Sequence, residues 1–480
     1  MNQGSIAVSL SKTLDQLQYY IPEAILVVGL LLMVVIDLIV GGSKKWQGLF
    51  TLCILVCVVF SLATELGNMT TQVAMVIKVL LLIATGFCAL LAMSESNIQK
   101  KSEHYSMMLG VLFGAFLLLN SQSLLTFYLG IEVMSISAYI LTVMKLTKTS
   151  AEAGLKYLLF GATSSAIMLF GISLVYGFSG TIILADIDII TMTQVVGVYP
   201  TIIALGMMLL GLLFKVAAVP QHIWAPDVYQ SAHTSVAAYF SIVPKIAGVI
   251  AFLVLIMNFN ISESWYRPSM GIIAISTIVI GNFAALSQKD VKRMLAYSSI
   301  AHTGFLLIPV VLNTPTAWQS MLFYTVVYMI MNIAAFGLVM QMENVTGSTE
   351  IEKYRGMGKV MPFIGILVLI VMIALTGLPP TAGFTAKLFL FSSIWELYAN
   401  SGDVLILSLL IVAVLNTVVS LFYYLKVPYY MFIKESNEAT VKEPSMPLNY
   451  LLALLVLVLL VLFFKPDWLM ELIYSISFGV

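Results

Sequence analysis

Charge is what this chain has least of. Asp, Glu, Lys and Arg make up 10% of its 480 residues, 60% are hydrophobic, and the mean hydropathy is +1.02. So few charges cannot keep a chain of this length dispersed in water, which excludes a soluble globular enzyme and implies a polytopic membrane protein. Cysteine and histidine are scarce too, at three and four residues. Cys53, Cys57 and Cys88 lie in apolar runs without companion histidines, so no metal site is expected. Cys53 and Cys57, four apart on one helix face, read as buried small hydrophobes rather than a metal pair. Motifs for flavin, haem, iron–sulfur clusters and nucleotides are missing. The opening stretch MNQGSIAVSLSKTLDQLQ lacks the apolar core of a cleavable signal.

What is present is a succession of apolar runs. Cutting them at polar punctuation predicts an all-α protein with about fourteen transmembrane helices. The boundary between helices four and five falls at Asn120-Ser121-Gln122. Two spans, 198–230 and 358–398, exceed the ~20 residues a bilayer needs. They are interrupted by AAVPQHIWAPD and TGLPPTAGF, where proline removes a backbone donor and glycine loosens the helix. Helices seven and twelve are therefore predicted to be broken, two ordinary kinked helices being the alternative. Their odd offset makes them cross in opposite directions, so helices four to eight and nine to thirteen read as two inverted five-helix repeats. The expected organisation is an N-terminal three-helix segment (1–104), a first repeat (105–257), a second repeat (268–431) and a C-terminal helix fourteen (449–480).

The cations orient this layout. With both termini outside, only Lys12, Arg267 and Lys465 of the 23 Lys and Arg residues face outward. Six more, Lys78, Lys156, Lys215, Lys245, Lys387 and Lys426, fall inside helices, and the remaining fourteen lie on the inward side. That bias fits the positive-inside rule.

Ionisable groups inside the helices carry the functional argument. A charge at the bilayer centre costs about 3 kcal/mol or more, and the usual compensation is a proton or ion pathway. Lys156, Lys215, Lys245 and Lys387 fall within spans, and Glu132, near the middle of helix five, is an acid to partner one of them. Desolvation drives a buried lysine towards neutrality and a nearby acid opposes this, so such a group can bind and release a proton. A static ion pair bracing the bundle is the alternative. His222, in the helix-seven break, and His302, in helix ten, are candidate relays. Lys78 and Lys426, near helix ends, read as snorkelling residues, and Asp227 as a cap of the half-helix.

At these residues the chain resembles a known family. FKVAAVPQHIWAPDVYQ with SIVPKIAG, then QKDVKRMLAYSSIAHTG and GLPPTAGFTAKLFLF, look like the antiporter-like subunits of proton-pumping NADH:quinone oxidoreductase, respiratory complex I. The likeness runs from about residue 100 to 430. Short length, the LPPTAGF break and a lysine in helix twelve match the N-type paralogues best. The resemblance implies that Glu132 couples to a neighbouring subunit, with Lys215 its partner, Lys156 a bridging cation and Lys245 the central lysine. Lys387 would hand protons to the next subunit or the outer face. It also implies a translocase subunit that binds no cofactor itself, NADH, FMN, Fe-S clusters and quinone belonging to partner subunits. The implied partners are the K- and M-type subunits on either side, the lateral helix of the L-type subunit and the lipid bilayer, and no nucleic acid. The implied location is the bacterial cytoplasmic membrane, in a multi-pass arrangement. The alternatives are a subunit of a multi-component cation/proton antiporter or membrane-bound hydrogenase, and a stand-alone carrier.

Overall fold

The structure is a computed structural model that describes residues 20–40, 46–64, 72–95, 98, 101–259, 263–435 and 446–476. The opening 1–19 stretch, Val480, and the expected loop cations Lys12, Lys44, Lys45, Lys100 and Lys442 lie outside the described residues.

In chain order the helices are α1 (Ile21–Val40), α2 (Trp46–Thr64), α3 (Gln72–Ser94), α4 (Lys101–Leu119), α5 (Leu124–Val143), α6 (Lys148–Ser179), α7 (Ile189–Val196), α8 (Val198–Val216), α9 (Trp224–Ser231) and α10 (Thr234–Phe259). They continue as α11 (Glu263–Leu286), α12 (Val291–Leu306), α13 (Ile308–Leu312), α14 (Pro315–Thr346), α15 (Met357–Val360), α16 (Pro362–Thr376), α17 (Ala382–Ser401), α18 (Val404–Phe432), α19 (Met446–Phe464) and α20 (Asp467–Tyr474). Among the described residues, thirteen spans are long and apolar enough to cross a membrane, with α12 and α13 forming one of them. The shorter α16, continued after a break by α17, completes the expected fourteen. The short α7, which lies along the connection before the seventh span, was not expected from the apolar pattern. Asp188 starts it by accepting from the backbone of Ile190 and Thr191.

Polar punctuation sets the helix ends. Ser123 caps α5 through a reciprocal capping box with Thr126, so the chain turns at the expected Asn120-Ser121-Gln122 boundary. Asp290 caps α12 in the same way by accepting from Arg293 N–H. The two caps are inverted counterparts. Ser123 bridges to Ile183, just past the end of α6, and Asp290 bridges to Glu350, just past the end of α14. Both long helices span 32 residues and end on a left-handed glycine, Gly180 and Gly347. Glycine also sets the closest helix crossings. A Cβ on Gly114 would sit 2.5 Å from Met134 N, between α4 and α5. One on Gly281 would sit 2.5 Å from Ala301 N, between α11 and α12.

Two sequence expectations change in the first three helices. Cys53 and Cys57 are exposed, whereas Cys88 is buried. They share the outer face of α2 with Val56, Val59 and Phe60, and in lipid an apolar face need not turn inward. Lys78 does not snorkel. It is fully buried and donates to Glu23 Oε1 at 2.7 Å, with its ammonium 4.9 Å from the centre of the Phe116 ring. Asn120 donates to the same oxygen at 2.9 Å. Removing one member of a buried pair strands the other's charge, at a cost of about 3–5 kcal/mol. Lys78→Met should therefore lower the thermal stability of the purified protein. The double replacement Lys78→Met, Glu23→Leu should recover most of the loss. A double variant as unstable as the single would show that the charge pairing is not what matters.

Candidate functional site

Both predicted breaks are present. α8 stops at Ala217, in the left-handed region at φ 55°, and Val219-Pro220 is a cis peptide. α16 stops at Gly377, at φ 84°, and Pro379-Pro380 is cis. Each break leaves helix-end groups without intrahelical partners, and each finds a specific one. Thr277 Oγ1 accepts from Val219 N–H, and the Trp224 indole donates to Phe214 O. At the second break the partner is Lys387. Its Nζ donates to Thr376 O at 2.6 Å and lies 5.0 Å from the centre of the Phe305 ring. A cation on the open carbonyls of a half-helix C-terminus is favoured by the helix dipole as well as by hydrogen bonding. Gly383 makes the arrangement possible, since a Cβ there would lie 1.9 Å from Ala374 O.

Lys245 lies almost halfway along α10 and is 1% exposed. Its Nζ donates to Ser299 O at 2.8 Å and Thr303 Oγ1 at 3.0 Å, both on α12. Thr303 Oγ1 in turn donates to Val216 O at 3.0 Å, at the end of the helix that carries Lys215. Further hydroxyls extend from the same stretch of α12. Ser299 Oγ meets Tyr328 OH at 2.9 Å, and Tyr328 donates to Ser241 O at 3.0 Å. His302 meets Tyr324 OH at 2.6 Å through Nδ1 and Tyr424 OH at 3.1 Å through Nε2, and Tyr424 is in close contact with Ser298 Oγ. His302 and Lys387 line one small cavity together with Asn416, Ser420, Tyr423 and Tyr424. Its volume of ≈ 10 Å³ has room for about one water, with Asn416 Oδ1 as an acceptor in its wall. His302 and Lys387 thereby share a water-sized space, and Lys245 is bonded to Ser299 and Thr303, which flank His302 on α12.

The first repeat is arranged differently from the expectation. Lys215 is buried at the end of α8, but its Nζ donates to Ser135 Oγ at 3.1 Å and makes no ion pair with Glu132 among the described residues. Glu132 lies one turn before Ser135 on α5, and its Oε1 is buried without a hydrogen-bond partner. Lys156, expected as a bridging cation on helix six, meets acids rather than other lysines. Its side chain is 45% exposed and pairs with Glu152 at 2.8 Å and Asp227 at 3.1 Å. Asp227 is more than a cap, because Arg293 of the second repeat also reaches it at 2.6 Å. Lys156, Glu152 and Asp227 line a polar cavity of ≈ 380 Å³ with Gln230 and Asp290. The sequence signal for this was Glu152, four residues before Lys156 on the same face of α6. His222 lies partly buried in the first break, and its Nδ1 has no hydrogen-bond partner among the described residues. The structure thus gathers Lys215, Lys245, His302 and Lys387 with Glu132 nearby, and sets Lys156 apart.

Sequence reasoning missed a buried polar cluster below α10. Glu95, His233 and Lys292 are all buried there. Lys292 was counted as a loop cation, and neither Glu95 nor His233 sits inside an apolar run, so composition could not single them out. Among the described residues no group of three or more His, Cys, Asp or Glu side chains is arranged to hold a metal ion.

Broken helices in inverted repeats, with buried lysines at and between the breaks, define a membrane subunit of the proton-antiporter type. The chain belongs to the family described as NADH:quinone oxidoreductase/Mrp antiporter, transmembrane, which it matches over residues 121–415. It is 36% identical over 440 residues to the NADH-quinone oxidoreductase subunit N of Trichlorobacter lovleyi, covering 88% of each chain. It is 34% identical to the NAD(P)H-quinone oxidoreductase subunit 2 of Gloeothece citriformis, over 89% of this chain and 85% of that one. Among solved structures it is similar to a chain of respiratory complex I from Thermus thermophilus, with TM-score 0.78 and 27% identity, over 94% of this chain and 99% of that one. A chain of the Mrp complex from Dietzia has the same fold, with TM-score 0.81 at 20% identity over 95% and 96%.

Proposed function

We propose that this chain is an N-type, proton-translocating membrane subunit of an NADH:quinone oxidoreductase. One observation carries the reading. Three buried lysines are held by neutral oxygens and, among the described residues, by no ion pair, and His302 lies on α12 between the residues that bind Lys245 and the small cavity it shares with Lys387. A lysine so held gives up its proton more readily than one facing a carboxylate at contact distance, because neutral dipoles compensate its charge less. The chain's own residues would bind, hold and pass protons. Lys245 would receive at the centre, His302 would relay towards Lys387, and Lys387 would release. Glu132 and Lys215 would couple this path to the neighbouring subunit, with His222 beside the first break. Lys156 would belong to the inward-side polar cavity with Asp227 and Arg293. Oxidation of NADH and reduction of quinone supply the energy in partner subunits that hold the FMN and Fe-S clusters. The partners on either side would be K- and M-type subunits, with a lateral helix of the L-type subunit alongside.

The repeats would run over 105–257 and 268–431, flanked by 1–104 and 449–480. We place both termini outside the bacterial cytoplasmic membrane, because the loop cations then lie inward. A reporter active only in the cytoplasm, fused after Val480, should stay silent, and a bright signal would invert every depth assigned above.

Co-purification tests the function itself. In mild detergent the chain should come out with large peripheral redox subunits. Recovery with small membrane proteins only would make it a cation/proton antiporter subunit, and recovery alone would make it a carrier.

A further inference from the structure

The cluster beneath α10 lies outside the row of lysines, yet it holds the helix that carries Lys245. Helix α10 begins at Thr234, and its first N–H groups are capped from a distant part of the chain. The cap comes from Glu95, the residue that follows α3 in the N-terminal segment. Glu95 Oε1 accepts from Thr234 N–H at 3.1 Å and Oε2 accepts from Ser235 N–H at 3.2 Å and from Ser235 Oγ at 2.6 Å. A carboxylate on two free N–H groups at a helix N-terminus is favoured by both hydrogen bonding and the dipole. Burial works against its ionisation, but the bonds from His233 and Ser235 and the Lys292 charge outweigh this and hold the carboxyl well below the usual carboxylate range.

The fourth contact on Glu95 is titratable. His233 Nδ1 lies 3.1 Å from Oε1, the side chain is 1% exposed, and its Nε2 has no hydrogen-bond partner among the described residues. His233 sits in the joint between α9 and α10, and that joint is gripped from both sides. Lys292, at the start of α12, donates to Ala232 O at 2.5 Å. Thr234 Oγ1 donates to Glu343 Oε2 at 2.6 Å, and Glu343 pairs with Lys145 at 3.6 Å. The titratable and charged groups around His233 are thus Glu95 from the α3 end, His104 from α4 with its ring 5.9 Å away, Tyr105 beside it, Lys145 from the α5–α6 turn, Asp290 and Lys292 from the start of α12, and Glu343 from α14. Glu343 and Lys145 are about a quarter exposed, so the cluster reaches the inward surface.

We propose that Glu95 and His233 are positioning residues for Lys245, forming a grip on the start of α10 that tightens when His233 takes a proton from the inward side. The proton converts a neutral hydrogen bond into an ion pair with Glu95, which fixes the α9–α10 joint and the helix above it. Its loss returns the weaker hydrogen bond of a neutral imidazole beside the bonds from Thr234 and Ser235, and leaves α10 freer to shift Lys245 against Ser299 and Thr303.

The inference rests on the proton-translocating reading, and the experiment separates the two. Inverted membrane vesicles expose the inward face, so proton uptake per NADH oxidised is measured while the external pH is varied. The wild type, His233→Asn, Glu95→Gln and Glu95→Asp are compared. Absence of uptake by the wild type would defeat the translocation reading itself. With the wild type pumping, His233→Asn, which keeps a polar side chain but no titrating charge, should assemble and flatten the pH profile. Glu95→Gln should lower uptake several-fold, and Glu95→Asp should restore part of it. A His233→Asn profile matching the wild type would overturn the proposal. So would Glu95→Gln uptake equal to the wild type's. If Glu95→Gln does not assemble, the His233→Asn profile decides alone.

Discussion

Lys387→Ala should cut NADH-driven proton uptake at least about tenfold, a rise of roughly 1.4 kcal/mol in the barrier, while the complex still assembles. Assembly should survive because Lys387 makes no ion pair among the described residues, so its removal strands no opposite charge. Thr376 O and Leu375 O, at 2.6 and 3.5 Å from Nζ, lose a donor but lie beside the cavity shared with His302, where water can replace it. Transport should suffer because that cavity joins His302 to Lys387 alone among the buried lysines. With alanine, the proton leaving His302 has no acceptor on the far side. Uptake in inverted vesicles, normalised to the amount of complex, is the measurement. Uptake at the wild-type level would make Lys387 a structural cation that only closes the broken helix.

Glu132 and Lys215 should behave as a coupled pair although they do not touch. Glu132→Ala and Lys215→Ala are each expected to impair pumping several-fold. The double variant should lose less than the product of the two effects, since their shared interaction is removed only once. The geometry sharpens this. Lys215 rests on Ser135 Oγ, one turn from Glu132, so movement of either helix can exchange the hydroxyl for the carboxylate. A switch needs two such partners for one ammonium, and a locked ion pair would leave it none. Lys215→Arg should assemble yet pump poorly, because arginine stays protonated. Strictly multiplicative losses, or an arginine variant that pumps normally, would show that the two residues do not form a protonation switch.

Much of this molecule was legible before any coordinates. Helix number followed from bilayer length, and the two breaks followed from proline and glycine within overlong apolar runs. The buried lysines declared themselves because a charge in such a run has so few explanations. What stayed hidden was which way a side chain faces. A helix apolar all round carries no periodic signal for its buried face, so Lys78 passed for a snorkelling residue. Pairings across long stretches of chain were hidden for another reason. Glu23 with Lys78, and Glu95 with His233, join residues whose local sequence is unexceptional, and only packing brings them together. The repeat was visible as topology. Its position-by-position form, Ser123 with Asp290 and Gly180 with Gly347, needed the coordinates.

The sideways run of the contacts has an electrical consequence. Lys245 bonds across to Thr303 on α12, Thr303 bonds to Val216 O beside Lys215, and His302, also on α12, shares the cavity of Lys387. The hydrogen bonds among these residues pass from one helix to its neighbour. A proton passed along this row, as proposed, would travel largely across the membrane potential's lines of force rather than down them. At about 2.3 kcal/mol per charge for each 100 mV, nearly all work against the voltage falls on the legs joining the row to the two aqueous faces. An energised membrane should thus oppose loading and release while leaving exchange among the lysines almost untouched.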